Sequence, residues 1–227
     1  WAHQLIESEK RSYRSFRSHN SQIGVALSVW KVRPEDAIAI IEAGISSVGE
    51  MEKLEAMIQP DIVALCHIGD AHDAGFPNRQ AKIEEKLALA KNFARTICLP
   101  AHIPDVVAFI ESPEAKRITQ GKELCFWNAK NSEQSGIDLE ILQVISSRFN
   151  TLAMQSNAMA AALVALCCDI PPKAVQIALG SVKPIPLRLE VLHGDSQSIL
   201  LNDTWSNDKE SLKLALEFLE QFDQRKH

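Results

Sequence analysis

The sequence predicts an α/β protein in which a mostly parallel sheet is flanked by helices, followed by the start of a second α/β domain. Short apolar runs alternate with amphipathic segments through most of the chain, which is typical of strand–helix–strand units. The sequence pattern then changes at Lys183–Pro186, where two prolines fix an extended backbone and indicate a hinge. We therefore expect one domain over residues 1–182 and the opening of another over residues 183–227.

Four short apolar runs in the first domain are predicted to be strands: Ala37–Glu42, Ile62–His67, Thr96–Leu99 and Glu123–Trp127. Three helices are predicted between them: Gly49–Ile58, Gln80–Phe93 and Pro104–Glu111. In the first of these helices, Met51, Leu54 and Ile58 follow the i, i+3, i+7 spacing of one helix face, and Pro60 comes just after its end.

The rest of the first domain is predicted from composition. The polar stretch Asn128–Gly136 indicates an exposed loop, and the apolar run Leu139–Ser146 after it is strand-like. Alanine-rich Ala153–Cys168 is the strongest predicted helix of the chain. The prolines at 171 and 172 end this helix and open another that runs through Leu179.

The second domain is predicted to begin with two strands, Leu187–Leu192 and Ser198–Asn202, and an amphipathic helix, Lys209–Phe222. Two strands and one helix bury too little apolar surface for an independent core. We therefore interpret residues 183–227 as the opening of a second domain whose remainder is absent.

Composition places the chain among ordinary globular proteins and excludes several classes. Hydrophobic residues make up 46% and charged residues 23% of its 227 residues, and the formal net charge is -5. A negative net charge argues against a general nucleic-acid binder, which would present a basic face. No apolar run reaches the roughly 18 residues that suggest a membrane span. Trp1 opens the chain without the features of a signal peptide.

The five cysteines indicate a reducing compartment. They are Cys66, Cys98, Cys125, Cys167 and Cys168, and four of them lie in apolar runs. An odd total gives no disulfide framework, so we expect reduced cysteines in the core of a cytoplasmic protein. The neighbours Cys167 and Cys168 alone do not supply a zinc site, which needs further Cys or His ligands at short spacing.

Polar side chains follow two of the predicted strands. Glu42 ends the first strand, and His72 comes soon after the second, at the edge where open α/β sheets bind ligands. Lys86 lies fourteen residues beyond His72 on a predicted helix, where Lys82 shares its face. Mg²⁺ prefers hard oxygen ligands such as one or two carboxylates. Taken singly, Glu42 and Lys86 are better explained as solvated surface charges, because such side chains are mostly exposed.

Six short motifs occur in an order that resembles the Mur ligases, the ATP-dependent amide-forming enzymes of peptidoglycan synthesis. They are Ile-Ile-Glu42-Ala-Gly, Ile-Gly-Asp-Ala-His72, Lys86 after that histidine, Ser-Asn157-Ala-Met-Ala-Ala, Pro-Leu-Arg188-Leu-Glu and Asn-Asp203-Thr-Trp-Ser-Asn-Asp. A further segment, Asn20–Ser28, is similar to a stretch that helps to form the nucleotide and substrate cleft in that family. The resemblance implies a central ATP-binding domain over 1–182 and the start of the C-terminal domain over 183–227.

The resemblance also implies roles for individual residues, with ATP and Mg²⁺ as cofactors. Glu42 would hold magnesium, His72 would assist a second metal, and Lys86 would be carbamylated to give an anionic metal ligand. Carbamylation needs a neutral amine and therefore a lowered lysine pKa. Asp70 would accept a hydrogen bond from His72 or merely cap a loop.

Three further residues would bind the nucleotide by the same resemblance. Asn157 would read adenine, since an amide offers both a donor and an acceptor, although an asparagine near a helix start is also a common cap. Arg188 would lie near the phosphates and Asp203 would bond the ribose, with Ser206 or Asn207 closing the following turn.

The resemblance implies the activity of the Mur ligases that join D-alanyl-D-alanine to UDP-N-acetylmuramoyl-tripeptide through an acyl phosphate. The motifs are most similar to a form fused to alanine racemase. The family's phosphate loop would lie before Trp1, so we expect the isolated chain to be inactive. Two alternatives stay open: a noncatalytic nucleotide- or partner-binding module on the same scaffold, and an α/β domain whose polar strand ends are coincidental.

Overall fold

The computed structural model consists of two compact units, Trp1–Val182 and Lys183–His227. The residues it describes are 1–16, 18–69, 72–183, 185–195, 198–205, 209–220 and 222. Each unit is an α/β arrangement with its own strands and helices. The predicted α/β class is therefore confirmed.

The first unit contains two groups of parallel strands. Strands β1 (Ser12–Arg14) and β2 (Ile38–Ile40) pair with each other. Strands β3 (Ile62–Ala64), β4 (Thr96–Pro100) and β5 (Glu123–Trp127) form a sheet in the order β3-β4-β5. Because the strands of each group run in one direction, their carboxyl ends lie at a common edge. Four of the five strands match predicted positions, whereas the three-residue β1 was not predicted.

The helices of the first unit begin at residues that suit helix starts. Ser21, Asn78, Ser112 and Thr151 each accept a hydrogen bond from a backbone N–H of the first turn. Proline occupies the first turn of the helix that Ser112 caps and of two others. The helices are α1 (Ala2–Ile6), α2 (Gln22–Trp30), α3 (Met51–Ile58), α4 (Arg79–Leu87), α5 (Pro104–Ile110), α6 (Pro113–Thr119), α7 (Leu139–Arg148), α8 (Leu152–Cys167) and α9 (Pro172–Ser181).

Helices cover both faces of the β3-β4-β5 sheet. All five residues of β4 are buried. Cys98 packs into one core with residues of α1, α7, α8 and α9, whereas Ile97 and Leu99 pack into another with residues of α4, α5 and α6. Burial on both faces explains why this strand is a continuous apolar run rather than an alternating one.

Three predictions about element type or length are wrong. Leu139–Ser146, predicted as strand-like, lies within helix α7, where Ile141, Leu142 and Ile145 are buried at helical spacing. The predicted strand Ile62–His67 ends at Ala64, so its last residues lie in the loop after the strand. The predicted helix Gln80–Phe93 ends at Leu87 and continues only as a short 3₁₀ helix, Ala88–Ala90.

The second unit consists of an antiparallel hairpin and a helix. Strand β6 (Glu190–His193) pairs with β7 (Ile199–Asn202), so that Glu190 faces Asn202 across the ladder. Helix α10 spans Lys209–Leu219. These are the two strands and one helix predicted there, each a few residues shorter.

Candidate functional site at the carboxyl ends of the parallel strands

Glu42 lies in the loop that follows β2, and neighbouring residues fix its orientation. Its Oε1 accepts a hydrogen bond of 2.8 Å from Asn20 Nδ2, and its backbone N–H donates to Ser15 Oγ at 3.0 Å. A Cβ at Gly44 would lie 2.9 Å from the Asn20 side chain, so glycine leaves the room that Asn20 occupies. The exposed carboxylate of Glu42 is therefore held in place beside the start of helix α2.

Two lysines on one face of α4 differ in their surroundings. Lys82 is only 3% exposed, and its Nζ donates to the Gly69 carbonyl oxygen at 2.6 Å and to Asp73 Oδ1 at 2.5 Å. The same ammonium lies 5.9 Å from the ring centroid of Phe76. Lys86, one turn further along, is half-buried. Lys82 thus ties the loop after β3 to the helix, while Lys86 stands next to it.

Electrostatic interactions place Lys86, Cys66 and Glu42 in one neighbourhood. Burial, and then the positive charge of Lys82, lower the pKa of Lys86, and the Cys66 thiolate opposes this. Cys66 is an exposed residue, yet neighbouring protein atoms desolvate its thiol. This desolvation and then the charge of Glu42 raise the pKa of Cys66, against the effect of Lys86. Lys86, whose pKa is lowered, and the carboxylate of Glu42 thus both interact electrostatically with Cys66.

His72 is exposed and has a left-handed backbone, with φ of 64°. The 3₁₀ helix that follows it, Asp73–Gly75, is held from two sides. Asp73 bonds Lys82, and Gly75 lies so close to Ser46 that a Cβ there would be 1.8 Å from the Ser46 carbonyl oxygen. These contacts position the histidine segment against α4 and the loop after β2. Asp70, the predicted partner of His72, lies outside the described residues.

A buried carboxylate next to Lys86 connects α4 to α3. Glu85 Oε1 accepts hydrogen bonds of 2.9 Å from the backbone N–H groups of Gly49 and Met51, at the start of α3. The unpaired N–H groups and the positive end of a helix dipole favour a carboxylate at this position. Glu85 thereby fixes the turn of α4 that carries Lys86.

Asn157 lies in the second turn of α8 and is exposed. Thr151 provides the cap of this helix, so capping does not account for Asn157. The preceding residue, Ser156, accepts a hydrogen bond from Trp127 Nε1 at 3.1 Å, and its Oγ is 3.3 Å from His102 Nε2. The start of α8 is therefore attached to the carboxyl ends of β4 and β5.

His102 and Glu85 lie at the candidate site but were not singled out from the sequence, and Lys82 was noted there only as sharing a helix face with Lys86. His102 comes two residues after the end of β4, as Glu42 comes two residues after the end of β2, and this position after a strand could have indicated it as a site residue. Burial, and then the charge of Lys130, lower the pKa of His102. Its Nδ1 is buried, and no hydrogen-bond partner for it occurs among the described residues.

In the second unit, Asp203 is hydrogen-bonded to the backbone of the residue that follows Arg188. Asp203 Oδ1 accepts a hydrogen bond of 3.0 Å from the N–H of Leu189, whose φ is 47°. Arg188 itself is exposed. A left-handed conformation at a leucine is rare and is held here by the aspartate. Ser206 and Asn207, predicted to close the next turn, lie outside the described residues.

Two features are absent from the described part of the chain. No group of three or more His, Cys, Asp or Glu side chains in that part of the chain is arranged to hold a metal ion. Likewise, none of the helices built from described residues is both long and apolar enough to cross a membrane.

Residues 3–165 match the Mur ligase middle domain, and this match covers well over half of the chain. The chain therefore belongs to the Mur ligase family, as the motifs predicted. The site described above lies within the matched residues, except for Arg188 and Asp203.

Within this family, the chain is similar to ligases named UDP-N-acetylmuramoyl-tripeptide–D-alanyl-D-alanine ligase. The protein from Bacillus subtilis strain 168 is 24% identical over 228 residues, which cover 96% of this chain and 49% of the relative. The protein from Buchnera aphidicola of Acyrthosiphon pisum is 25% identical over 222 residues, covering 88% and 47%. The chain thus spans about half the length of the curated relatives it matches.

Solved structures share the fold. MurF from Acinetobacter baumannii superposes with a TM-score of 0.81 at 17% identity, over 98% of this chain and 51% of that protein. MurF from Thermotoga maritima, solved in complex with ADP, gives a TM-score of 0.74 at 16% identity, over 99% and 54%. At these identities the likeness establishes the fold.

Proposed function

We propose that this chain supplies the nucleotide-binding central domain, residues 1–182, and the start of the C-terminal domain, residues 183–227, of an ATP-dependent ligase. Its reaction would join D-alanyl-D-alanine to UDP-N-acetylmuramoyl-tripeptide. ATP would phosphorylate the tripeptide carboxylate, and the amine of the dipeptide would then attack the acyl phosphate. The names of the similar ligases support these substrates.

The observation that carries the proposal is the environment of Lys86. Its amine is half-buried, has a lowered pKa and, like Glu42, interacts electrostatically with Cys66. Carbon dioxide reacts only with a neutral amine, so the lowered pKa favours carbamylation of Lys86. A generic α/β domain has no reason to desolvate a lysine at this edge, because surface lysines normally remain hydrated.

The residues present fit magnesium. Glu42 offers an exposed carboxylate that Asn20 holds in orientation, and a carbamylated Lys86 would add a second anionic oxygen donor. Mg²⁺ usually binds one or two carboxylates and completes its shell with phosphate oxygens and water, so it does not need three protein ligands. When bound, magnesium would neutralise charge on the transferring phosphoryl group. His72, exposed beside this edge, would assist a second metal.

Three further residues would bind the nucleotide. Asn157 would offer its exposed amide to the base, next to the Ser156–His102 hydrogen bond that fixes the start of α8. Arg188 would bind phosphate oxygens with its planar guanidinium group. Asp203 would bond the ribose through its carboxylate.

The setting of the reaction follows from its substrates. ATP and UDP-linked precursors are cytoplasmic, so we place the protein in the cytoplasm. The alanine racemase fusion implied by the sequence motifs would supply D-alanine for the dipeptide substrate.

The test is a ligation assay on the complete protein that carries this chain, with ADP release and amide product both measured. Lys86→Met should lower the rate at least about a hundredfold, since a charge-stabilising group of the site is lost. The matched control is Lys91→Met. Lys91 is an exposed lysine that pairs with Glu52 at 2.7 Å, and its replacement should leave the rate within about twofold.

Two results would contradict the proposal. Equal rates for Lys86→Met and wild type would remove Lys86 from the reaction. Binding of ATP without amide formation by the wild-type protein would instead favour the noncatalytic binding module on the same scaffold.

A further inference from the structure

Three cysteine sulfurs lie together between the sheet and α8. Cys98 in β4 and Cys125 in β5 are register partners in the parallel sheet, and Cys167 is the last residue of α8. The Sγ atom of Cys167 is 3.8 Å from that of Cys98 and 3.9 Å from that of Cys125. All three are free thiols. We refer to these three residues as the thiol cluster.

The members of the thiol cluster differ in access to solvent. Cys98 is fully buried, whereas Cys125 and Cys167 are half-buried. Cys125 and Cys167 are therefore the more accessible members, and Cys98 is the least accessible. Cys167 has a thiol neighbour on either side, so any oxidised form of its sulfur is next to a thiol that can attack it.

The ionisation of the cluster follows from its hydrogen bonds. Contacts with the thiols of Cys98 and Cys125 lower the pKa of Cys167 to about 7, against burial and the charges of Glu123 and Asp169. Burial is the first cause that raises the pKa of Cys125, to about 12. At neutral pH the proton is therefore lost from Cys167 first, and the thiolate is the nucleophilic form.

We propose that the thiol cluster is a site of oxidative modification, in which Cys167 reacts with a hydroperoxide and then forms a disulfide with Cys125. Cys125 is the partner rather than Cys98 because it is the half-buried neighbour and can move without opening the core. The two sulfurs must approach from 3.9 Å to about 2.05 Å, a movement that two side chains share.

The reaction needs no other component. The Cys167 thiolate attacks one peroxide oxygen, the O–O bond breaks, and hydroxide leaves and takes up the proton that Cys167 had released. Cys167 is now a sulfenic acid. The Cys125 sulfur attacks the Cys167 sulfur, the S–O bond breaks, and the hydroxyl leaves as water with the Cys125 proton. In sum, two thiols and one hydrogen peroxide give one disulfide and two waters.

The disulfide would tether the end of α8 to β5. It closes a loop between residues 42 positions apart. Such a loop should raise the melting temperature by roughly 5–15 °C relative to the reduced protein. Because Asn157 lies on the same helix, the tether would also restrict the helix that carries the proposed adenine contact.

The experiment treats the complete protein with hydrogen peroxide, blocks remaining thiols and maps tryptic peptides by mass spectrometry. The three cysteines fall on different peptides, 96–116 for Cys98, 123–130 for Cys125 and 149–173 for Cys167. We expect a disulfide between peptides 123–130 and 149–173. Cys66 provides an internal control, because it is more exposed but has a raised pKa and should remain a thiol.

Variants assign the reactive sulfur. Cys168→Ser changes the adjacent cysteine, whose pKa is raised to about 11, and should retain the link. Cys167→Ser should abolish it. The wild-type oxidation rate should rise about tenfold from pH 6 to pH 8 and then level off, whereas an ordinary thiol would continue to accelerate.

Three results would overturn the proposal. The first is oxidation of Cys66 before Cys167, and the second is a link that persists in Cys167→Ser. The third is a link to peptide 96–116, which would show that Cys98 is the partner. The wild-type mapping decides the first and third without any variant, so a folding defect in Cys167→Ser would not obscure the answer.

Discussion

Replacing Gly75 with alanine should displace the segment that carries His72. A Cβ at this position would lie 1.8 Å from the Ser46 carbonyl oxygen, whereas ordinary contacts are at least 3.4 Å. The 3₁₀ helix, the loop after β2, or both must therefore move by about 1.6 Å, which is the difference between these two distances. Neither partner is the flexible end of a side chain, so backbone has to move.

The size of the effect differs between stability and activity. Overpacking of this kind costs about 1–3 kcal/mol in the free energy of unfolding, which lowers the melting temperature by roughly 2–10 °C. Catalysis is more sensitive, because a misplacement of about 1 Å costs on the order of a hundredfold in rate. We therefore expect a folded Gly75→Ala protein whose ligation rate falls about a hundredfold.

The assay pairs thermal unfolding with ligation, both measured on the complete protein that carries this chain, and Gly180→Ala is the control. A Cβ at Gly180, in α9, would meet nothing within 4 Å, so alanine should leave the rate unchanged and stabilise the helix by up to about 1 kcal/mol. If Gly75→Ala melts within a degree of wild type and retains its rate, the argument that this contact positions His72 is refuted.

Three further changes probe α4. Lys82→Met should lower the free energy of unfolding by about 1.5–3 kcal/mol in urea titrations, because it removes charge-assisted bonds to the loop after β3. It should also raise the pKa of Lys86. Unchanged stability would contradict the role of Lys82. Glu85→Gln should cost about 1–2 kcal/mol by weakening the carboxylate at the start of α3, and an unaltered denaturation midpoint would count against that role. In CO₂-free buffer, the stability contributed by Lys86 should rise with pH between its lowered pKa in the folded state and the ordinary value of 10.5, because the unfolded state binds more protons in that range. Lys86→Met should lack this rise. Identical pH profiles for the variant and the wild type would refute the prediction.

The sequence predicted the buried parallel strands well because each is a short apolar run closed by polar residues. Strand β4 is the clearest case, since its burial on both faces leaves a continuous apolar pattern. Helix α7 was mistaken for a strand because a short apolar run does not distinguish the two by itself. Its buried residues, Ile141, Leu142 and Ile145, show the helical spacing only once the whole of Leu139–Arg148 is considered.

For the candidate site too, some residues could be predicted from the sequence and others could not. Glu42, His72 and Lys86 could be predicted as candidates because the motifs around them resemble those of the Mur ligases. The contacts that support these residues could not be predicted from the sequence. The pattern around Lys82 does not distinguish it from a surface lysine, and its bond to Asp73 depends on how a loop folds back on α4. Glu85 likewise acts on helix α3, whose start is 34 to 36 positions away in sequence.

The most direct test of the site is detection of a carbamate on Lys86. The complete protein would be equilibrated with ¹³C-labelled bicarbonate at mildly alkaline pH and observed by ¹³C NMR, beside Lys86→Met and Lys91→Met. We predict one protein carbamate signal in wild type and in Lys91→Met, and none in Lys86→Met. A signal of equal intensity in Lys86→Met, or no signal in wild type, would contradict the assignment of Lys86 as the carbamylated ligand of this site.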